Sequence, residues 1–180
     1  ILELLRKKET KVTFFVVGEL LEYKPELLDL ILENDHEIGF HTMKHDRIDS
    51  SISKEEFDEE VKKFAKLTNG KSKGFRAPSF SLNMNSSWAI DVLKENGYIY
   101  DSSVVPARTS LYGIPDAETK PYKISSQNLK NNSDNGKILE FPLLVTRFLG
   151  KKIPAAGGFY LRTLPTRVIE NAIKSYEKNQ

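Results

Sequence analysis

KVTFFVVGELLEYKPELLDLILENDHEIGF, residues 11–40, decides the fold class. From Lys11 to Gly18 the stretch is a β-branched and aromatic run closed by glycine, the pattern of a buried strand. Apolar residues at Leu20, Leu21, Leu27, Leu28, Leu30, Ile31 and Leu32 follow at helical spacing. Pro25 breaks or restarts that helix, which ends near Asn34. HEIGF, from His36 to Phe40, is strand-like again. Strand, helix and strand in succession predict a parallel pair joined by a crossover helix.

The unit recurs. Upstream, ILELLRKK forms a short helical end. Downstream, SKEEFDEEVKKFAKL opens on a capping box, Ser53 with Glu56, and places Phe57, Val61, Phe64 and Leu67 on one face until Asn69-Gly70 stops it. KGFRAP predicts a third strand, Asn85 to Asn96 a helix carrying Trp88, Ile90, Val92 and Leu93, and YIYDSS a fourth strand. The expected architecture is an α/β layer or barrel within a single domain spanning 1–180. Val104 to Gly136, rich in Pro, Ser and Asn, reads as a long decorated loop with a turn at NNSDNG. LEFPLL resumes as a strand, PAAGGFYLR reads as a tight glycine turn, and a final helix runs from Pro165 to the C-terminus.

Lys and Arg number 27 against 25 Asp and Glu, a balance that offers no electrostatic reason for a nucleic-acid or anionic-membrane partner. The absence of cysteine excludes thiol catalysis, disulfides and cysteine-ligated zinc, and leaves the redox compartment open. Apolar runs such as Val12–Val17 are too short to span a bilayer, and no charged-then-apolar leader opens the chain. The protein is expected to be soluble. Because it begins at Ile1 inside an amphipathic stretch, an upstream portion is expected as well.

All three histidines, His36, His41 and His45, lie within one short segment. His41 and His45 are four residues apart. On a helical turn their Cβ atoms would be about 5 to 6 Å apart and could share an ion; on a strand they would be roughly 13 Å apart. A shared metal therefore predicts a helical turn starting at Thr42. Two polar residues at a strand-to-helix junction are the other reading.

TFFVVGE, HEIGFHTMKH, FRAPSF and YDSS, in this order on successive strand ends, resemble the polysaccharide deacetylase (NodB homology) family, carbohydrate esterase family four. RAPSFS, YDSSVVPAR, LYGIPDA, LEFPL, RFLGKKIPAAGGFY and LRTLP are similar to its subfamily associated with bacterial and archaeal exopolysaccharide loci. The resemblance covers nearly everything from Lys11 to Gln180. It implies a distorted (β/α) barrel with the site at the strand C-terminal ends, acting on an N-acetylated polysaccharide or oligosaccharide.

By that resemblance, His41 and His45 hold a divalent metal, usually zinc, that polarises the acetamide carbonyl and activates water. His36 matches no ligand position and is assigned a structural role at strand entry. Arg76 matches the family's arginine motif and, as a buried guanidinium, calls for a carboxylate partner or for an ordinary surface bridge. Pro78 holds Ala77 extended so that the Ser79 N–H can serve as an oxyanion donor, worth about 3 to 4 kcal/mol. Asp101 matches an acid that orients another catalytic group, or else caps a turn. Phe80, Tyr160 and Arg162 are candidate sugar contacts, with loop support equally open for the last two, whereas Trp88 belongs to the core.

Two family motifs have no counterpart. The Asp-containing first motif, which supplies the general base and third ligand, is missing, and so is the late histidine that acts as general acid. The barrel is therefore expected to be incomplete at both ends, a truncated rather than degenerate chain. Two competing functions stand beside deacetylation: a non-catalytic carbohydrate-binding relative, and an allantoinase-like hydrolase of small cyclic amides.

Overall fold

A computed structural model describes residues 1–178. The chain runs α1 (Leu2–Lys7), β1 (Thr13–Val16), α2 (Gly18–Tyr23), α3 (Glu26–Glu33), β2 (Glu37–Phe40), α4 (Lys54–Leu67) and β3 (Gly74–Phe75). A 3-10 turn (Pro78–Phe80), α5 (Trp88–Glu95), β4 (Tyr100–Asp101), β5 (Tyr122–Ile124) and β6 (Ile138–Glu140) follow. The chain ends in β7 (Val145–Phe148), β8 (Lys151–Pro154), α6 (Gly158–Thr163) and α7 (Thr166–Lys178). The expected end of α7 at Gln180 lies outside the described residues.

The sheet order is β1-β2-β3-β4-β6-β5, parallel throughout except for the antiparallel β5 edge. The alternation of strands and crossover helices thus yields the expected α/β fold. The sheet is not closed, consistent with a distorted barrel. Pro25 separates α2 from α3, because its ring cannot continue a helix begun upstream.

Residues on alternate sides of each strand meet different surroundings. One face, carrying Val16, Ile38, Phe40, Phe75 and Ile138, packs under the helices in the main core. Phe40 is its centre, with ring centroids 4.6 Å from Phe64, 5.6 Å from Phe75 and 6.1 Å from Phe57. Phe57, Val61 and Phe64 reach it because they recur at helical spacing along α4. That helix starts where predicted: the Ser53 hydroxyl accepts from the Glu56 N–H at 3.2 Å, and Glu56 accepts from the Ser53 N–H at 2.8 Å. Trp88 packs on Phe57 with centroids 5.6 Å apart, as a core residue should. His36 is buried against Phe14, ring centroids 5.4 Å apart, at the entry to β2.

The opposite face is lined by Phe15, Arg76, Tyr100, Ser102 and Phe141 around a cavity of about 630 Å³. Gly74 is required there, since a Cβ would fall 2.0 Å from the Tyr100 ring.

Two local expectations change, and one hairpin is new. The 104–136 segment is not wholly irregular, because Tyr122–Ile124 forms β5 and pairs with β6. PAAGGFYLR is not a closed turn: Gly157, with φ 88°, caps the start of α6, so Tyr160 and Arg162 ride on a helix. RFLGKKIP is a hairpin, β7 to β8, whose two turn residues Leu149 and Gly150 have φ 48° and 78°. Positive φ at both positions matches the twist of the flanking strands.

Candidate active site

The loops that leave the C-terminal ends of β2, β3 and β4 converge. His41 follows β2 directly, its N–H donating to the Val16 carbonyl at 3.1 Å. No helix begins at Thr42, contrary to the requirement inferred from spacing. Thr42 and His45 instead adopt φ 55° and 66°, and the two left-handed residues fold the loop back until the imidazole centroids are 5.0 Å apart. Such backbone is costly for residues with a Cβ and persists where the surroundings hold it. The first two N–H groups of α2, Gly18 and Glu19, donate to the Thr42 and Met43 carbonyls at 3.0 and 2.9 Å. From the other side Glu60 of α4 accepts the Met43 N–H at 2.9 Å. Thr42 itself is fully buried.

His41 is prepared for coordination. Its Nδ1 lies 2.6 Å from the Arg76 carbonyl, so the proton sits on Nδ1 and the Nε2 lone pair is free. Burial, aided by the nearby His45 and Arg76 charges, pushes its pKa down to about 4 against the pull of that hydrogen bond. The ring is therefore neutral at pH 7. His45 is exposed. Two imidazoles fit two positions of a divalent ion; among the described residues no Asp or Glu completes a three-ligand group.

Among the described residues the Arg76 side chain takes no carboxylate. Its Nε donates to the Ser102 carbonyl at 2.9 Å and its Nη2 to the Ser102 hydroxyl at 2.7 Å, which in turn donates to the Phe141 carbonyl at 2.8 Å. The guanidinium lies 4.3 Å over the Phe15 ring. Burial lowers its pKa, while the negative charge of the Asp101–Glu140 pair raises it. Ser102 supplies the local contacts that a carboxylate was expected to make, and the countercharge acts from a distance.

Ser79 and Phe80, after the Pro78 turn, have φ 52° and 51°. Ser79 is exposed at the tip, and Ala77 is extended as its proline neighbour demands. Four strained non-glycine residues thus occupy the two loops that carry His41, His45 and Ser79.

Asp101 does not open into the cleft. Strand alternation turns Tyr100 and Ser102 toward it and Asp101 to the helix-packed side, where its carboxyl is fully buried. It accepts the Ser103 hydroxyl at 2.6 Å, and the Ser103 oxygen accepts the Ala77 N–H at 2.8 Å. Asp101 therefore touches the arginine-proline turn through Ser103. Phe80 packs 5.3 Å from Tyr112 in a small apolar cluster with Val105, Ala107 and Leu143. Arg162 is exposed and donates to the Gly158 carbonyl at 2.7 Å, within its own helix. Tyr160 is half-buried and rests 5.2 Å from Phe159. Sequence reading missed Ser102, Ser103 and Glu140. The serines stood beside Asp101 in YDSS and the glutamate in LEFP, but only pairing of β4 with β6 relates them.

A family model described as polysaccharide deacetylase matches residues 1–100, and one described as a domain of unknown function (DUF3473) matches residues 102–180. The peptidoglycan-N-acetylglucosamine deacetylase of Bacillus cereus is 33% identical over 101 residues, which cover 54% of this chain and 46% of that protein. The chain thus spans about half the length of the curated relative it matches. A Mycobacterium smegmatis structure assigned as a polysaccharide deacetylase superposes with TM-score 0.63 at 20% identity, over 99% of this chain and 57% of that one. Puue allantoinase superposes with TM-score 0.57 at 19% identity, over 79% and 41%. At these identities the two structures speak for the fold alone.

Proposed function

Because the chain belongs to the polysaccharide deacetylase family, whose model it matches over more than half its length, we propose that it contributes the metal-binding and oxyanion side of an N-deacetylase. The substrate is an N-acetylated hexosamine polymer, and the products are acetate and a free amine. The convergence of His41 and His45 beside the Arg76 carbonyl carries this reading.

In it, His41 and His45 hold a divalent ion, zinc by preference for two imidazoles. When bound, such an ion supplies a Lewis acid for the acetamide carbonyl and acidifies water. The chain's own residues do the rest. Arg76 fixes the His41 tautomer through its carbonyl. Its side chain, clamped on Ser102, ties the His41 loop to the end of β4. The Ser79 N–H donates to the oxyanion from a left-handed turn that Ser103 holds at Ala77. Asp101 is a positioning residue acting through Ser103 and Ala77. Phe80, Tyr160 and Arg162 contact sugar units of the polymer, with the 104–136 segment forming a wall of the groove. The exopolysaccharide-associated subfamily is the finer assignment, supported by the motifs of the second half. A single domain is supported by the sheet, which continues from β4 to β6 across the junction of the two matched family models.

The test is acetate release from an N-acetylglucosamine oligomer, with bound zinc counted, in the full-length protein and its His41→Ala and His45→Ala variants. Both variants should lose zinc and turnover. Acetate release unchanged in both would overturn the proposal.

A further inference from the structure

Asp101 and Glu140 stand behind the sheet, away from the cleft. They are register partners across β4 and β6, so their side chains leave the same face side by side, and both are fully buried. Two adjacent carboxyls in a dry core cannot both be ionised. The donors around them identify which one keeps the proton. Asp101 Oδ1 accepts the Ser103 hydroxyl at 2.6 Å and its Oδ2 accepts the Ser103 N–H at 3.2 Å, so both oxygens face donors. Glu140 Oε1 accepts the Val104 N–H at 2.9 Å, while Oε2 meets no donor among the described residues. A buried carboxylate oxygen with no donor is costly; the cost disappears if that oxygen carries a hydrogen of its own.

We propose that Glu140 is held as the neutral acid, donating from Oε2 to the Asp101 carboxylate, and that this one-proton pair positions the Ala77–Ser79 turn. The path to the turn is continuous: Glu140 to Asp101, Asp101 to the Ser103 hydroxyl, and Ser103 to the Ala77 N–H. Glu140 also holds the start of the following segment at Val104. The charged and titratable groups acting on Glu140 are Asp101 from β4 and Tyr122 from β5 on its own side, and Arg76 across the sheet from the loop after β3. Tyr122 offers no alternative donor, since its hydroxyl is spent on the Leu129 carbonyl at 2.6 Å. Arg76 balances the single negative charge on Asp101. Burial raises both carboxyls; hydrogen bonds from Glu140 and Ser103 pull Asp101 back, whereas the Asp101 charge drives Glu140 further up.

Glu140→Gln tests this in the full-length protein, because the amide nitrogen replaces the hydroxyl and its oxygen still accepts from Val104. Asp101→Asn does the opposite, setting an NH₂ against the Ser103 donors. Infrared spectra at neutral pH should show the carbonyl band of a protonated, buried acid in wild type and lose it in Glu140→Gln. The folded chain keeps a proton that the unfolded chain releases above the ordinary glutamate pKa. Wild-type stability should accordingly decline as pH rises beyond that value, and Glu140→Gln should remove the decline. Absence of the band, its persistence in Glu140→Gln, or a Glu140→Gln loss as large as that of Asp101→Asn would overturn the assignment. Should Asp101→Asn fail to fold, the band and the pH slope of Glu140→Gln decide alone. Neither readout needs turnover, so they stand or fall separately from the deacetylase reading. Resting on that reading, Glu140→Leu should lower kcat for acetate release about tenfold while Gln restores it; equal losses in the two would refute the positioning role.

Discussion

His41→Asn isolates the titration of one buried imidazole. Asparagine can keep the donor to the Arg76 carbonyl, 2.6 Å from Nδ1 in the native protein, while removing the ring that titrates. In metal-free protein the His41 pKa falls from 6.5 to about 4, chiefly through burial. The neutral form is therefore the one the fold prefers. Its contribution is fully present above pH 6.5 and is lost as pH falls through the window from 6.5 to about 4, because the unfolded chain takes up a proton that the folded one refuses. At about 1.4 kcal/mol per tenfold change in proton affinity, and with some solvent screening, the loss amounts to about 2 to 3 kcal/mol. Urea unfolding of chelated wild type and His41→Asn at pH 7 and pH 4 measures it. Carboxylates common to both proteins cancel in the comparison. Wild type should lose about 2 to 3 kcal/mol more than the variant on acidification. Parallel losses, or a His41 resonance titrating near the ordinary histidine value, would refute the account of a desolvated, coordination-ready ring.

Gly18→Ala should cost about 1 to 3 kcal/mol by overpacking and weaken zinc binding in isothermal titration, since the new Cβ meets the Met43 sulfur at 2.1 Å inside the histidine loop. Phe40→Ala, at the hub of the aromatic core, should cost about 3 to 5 kcal/mol in chemical denaturation. Ser53→Ala removes the acceptor for the Glu56 N–H and should cost about 1 kcal/mol, read as a lower melting temperature with the metal site intact.

Comparison of these residues shows where sequence reading has power. The capping box at Ser53 and the α4 core stripe were legible because both are local: capping needs atoms three residues apart, and an amphipathic helix repeats within a turn. Proline at 25 and at 78 acted as written, since a pyrrolidine ring restricts its own backbone and its neighbour's whatever lies beyond. The hairpin at Leu149-Gly150 was overlooked because leucine is a poor marker of positive φ. Strand β5 was overlooked because its three residues are stabilised by pairing with β6 rather than by their own pattern.

By itself, then, the sequence determined the strand-helix alternation, the family, and the identity of the two imidazoles, all properties of short segments and their order. The tertiary structure alone decided how those imidazoles meet, through left-handed residues held by the start of α2 and by Glu60. It also decided that Arg76 clamps Ser102 and that Asp101 faces Glu140 rather than the cleft. These outcomes depend on strand register and on donors brought from distant segments, and a buried group's partner and charge follow from who its neighbours are in space.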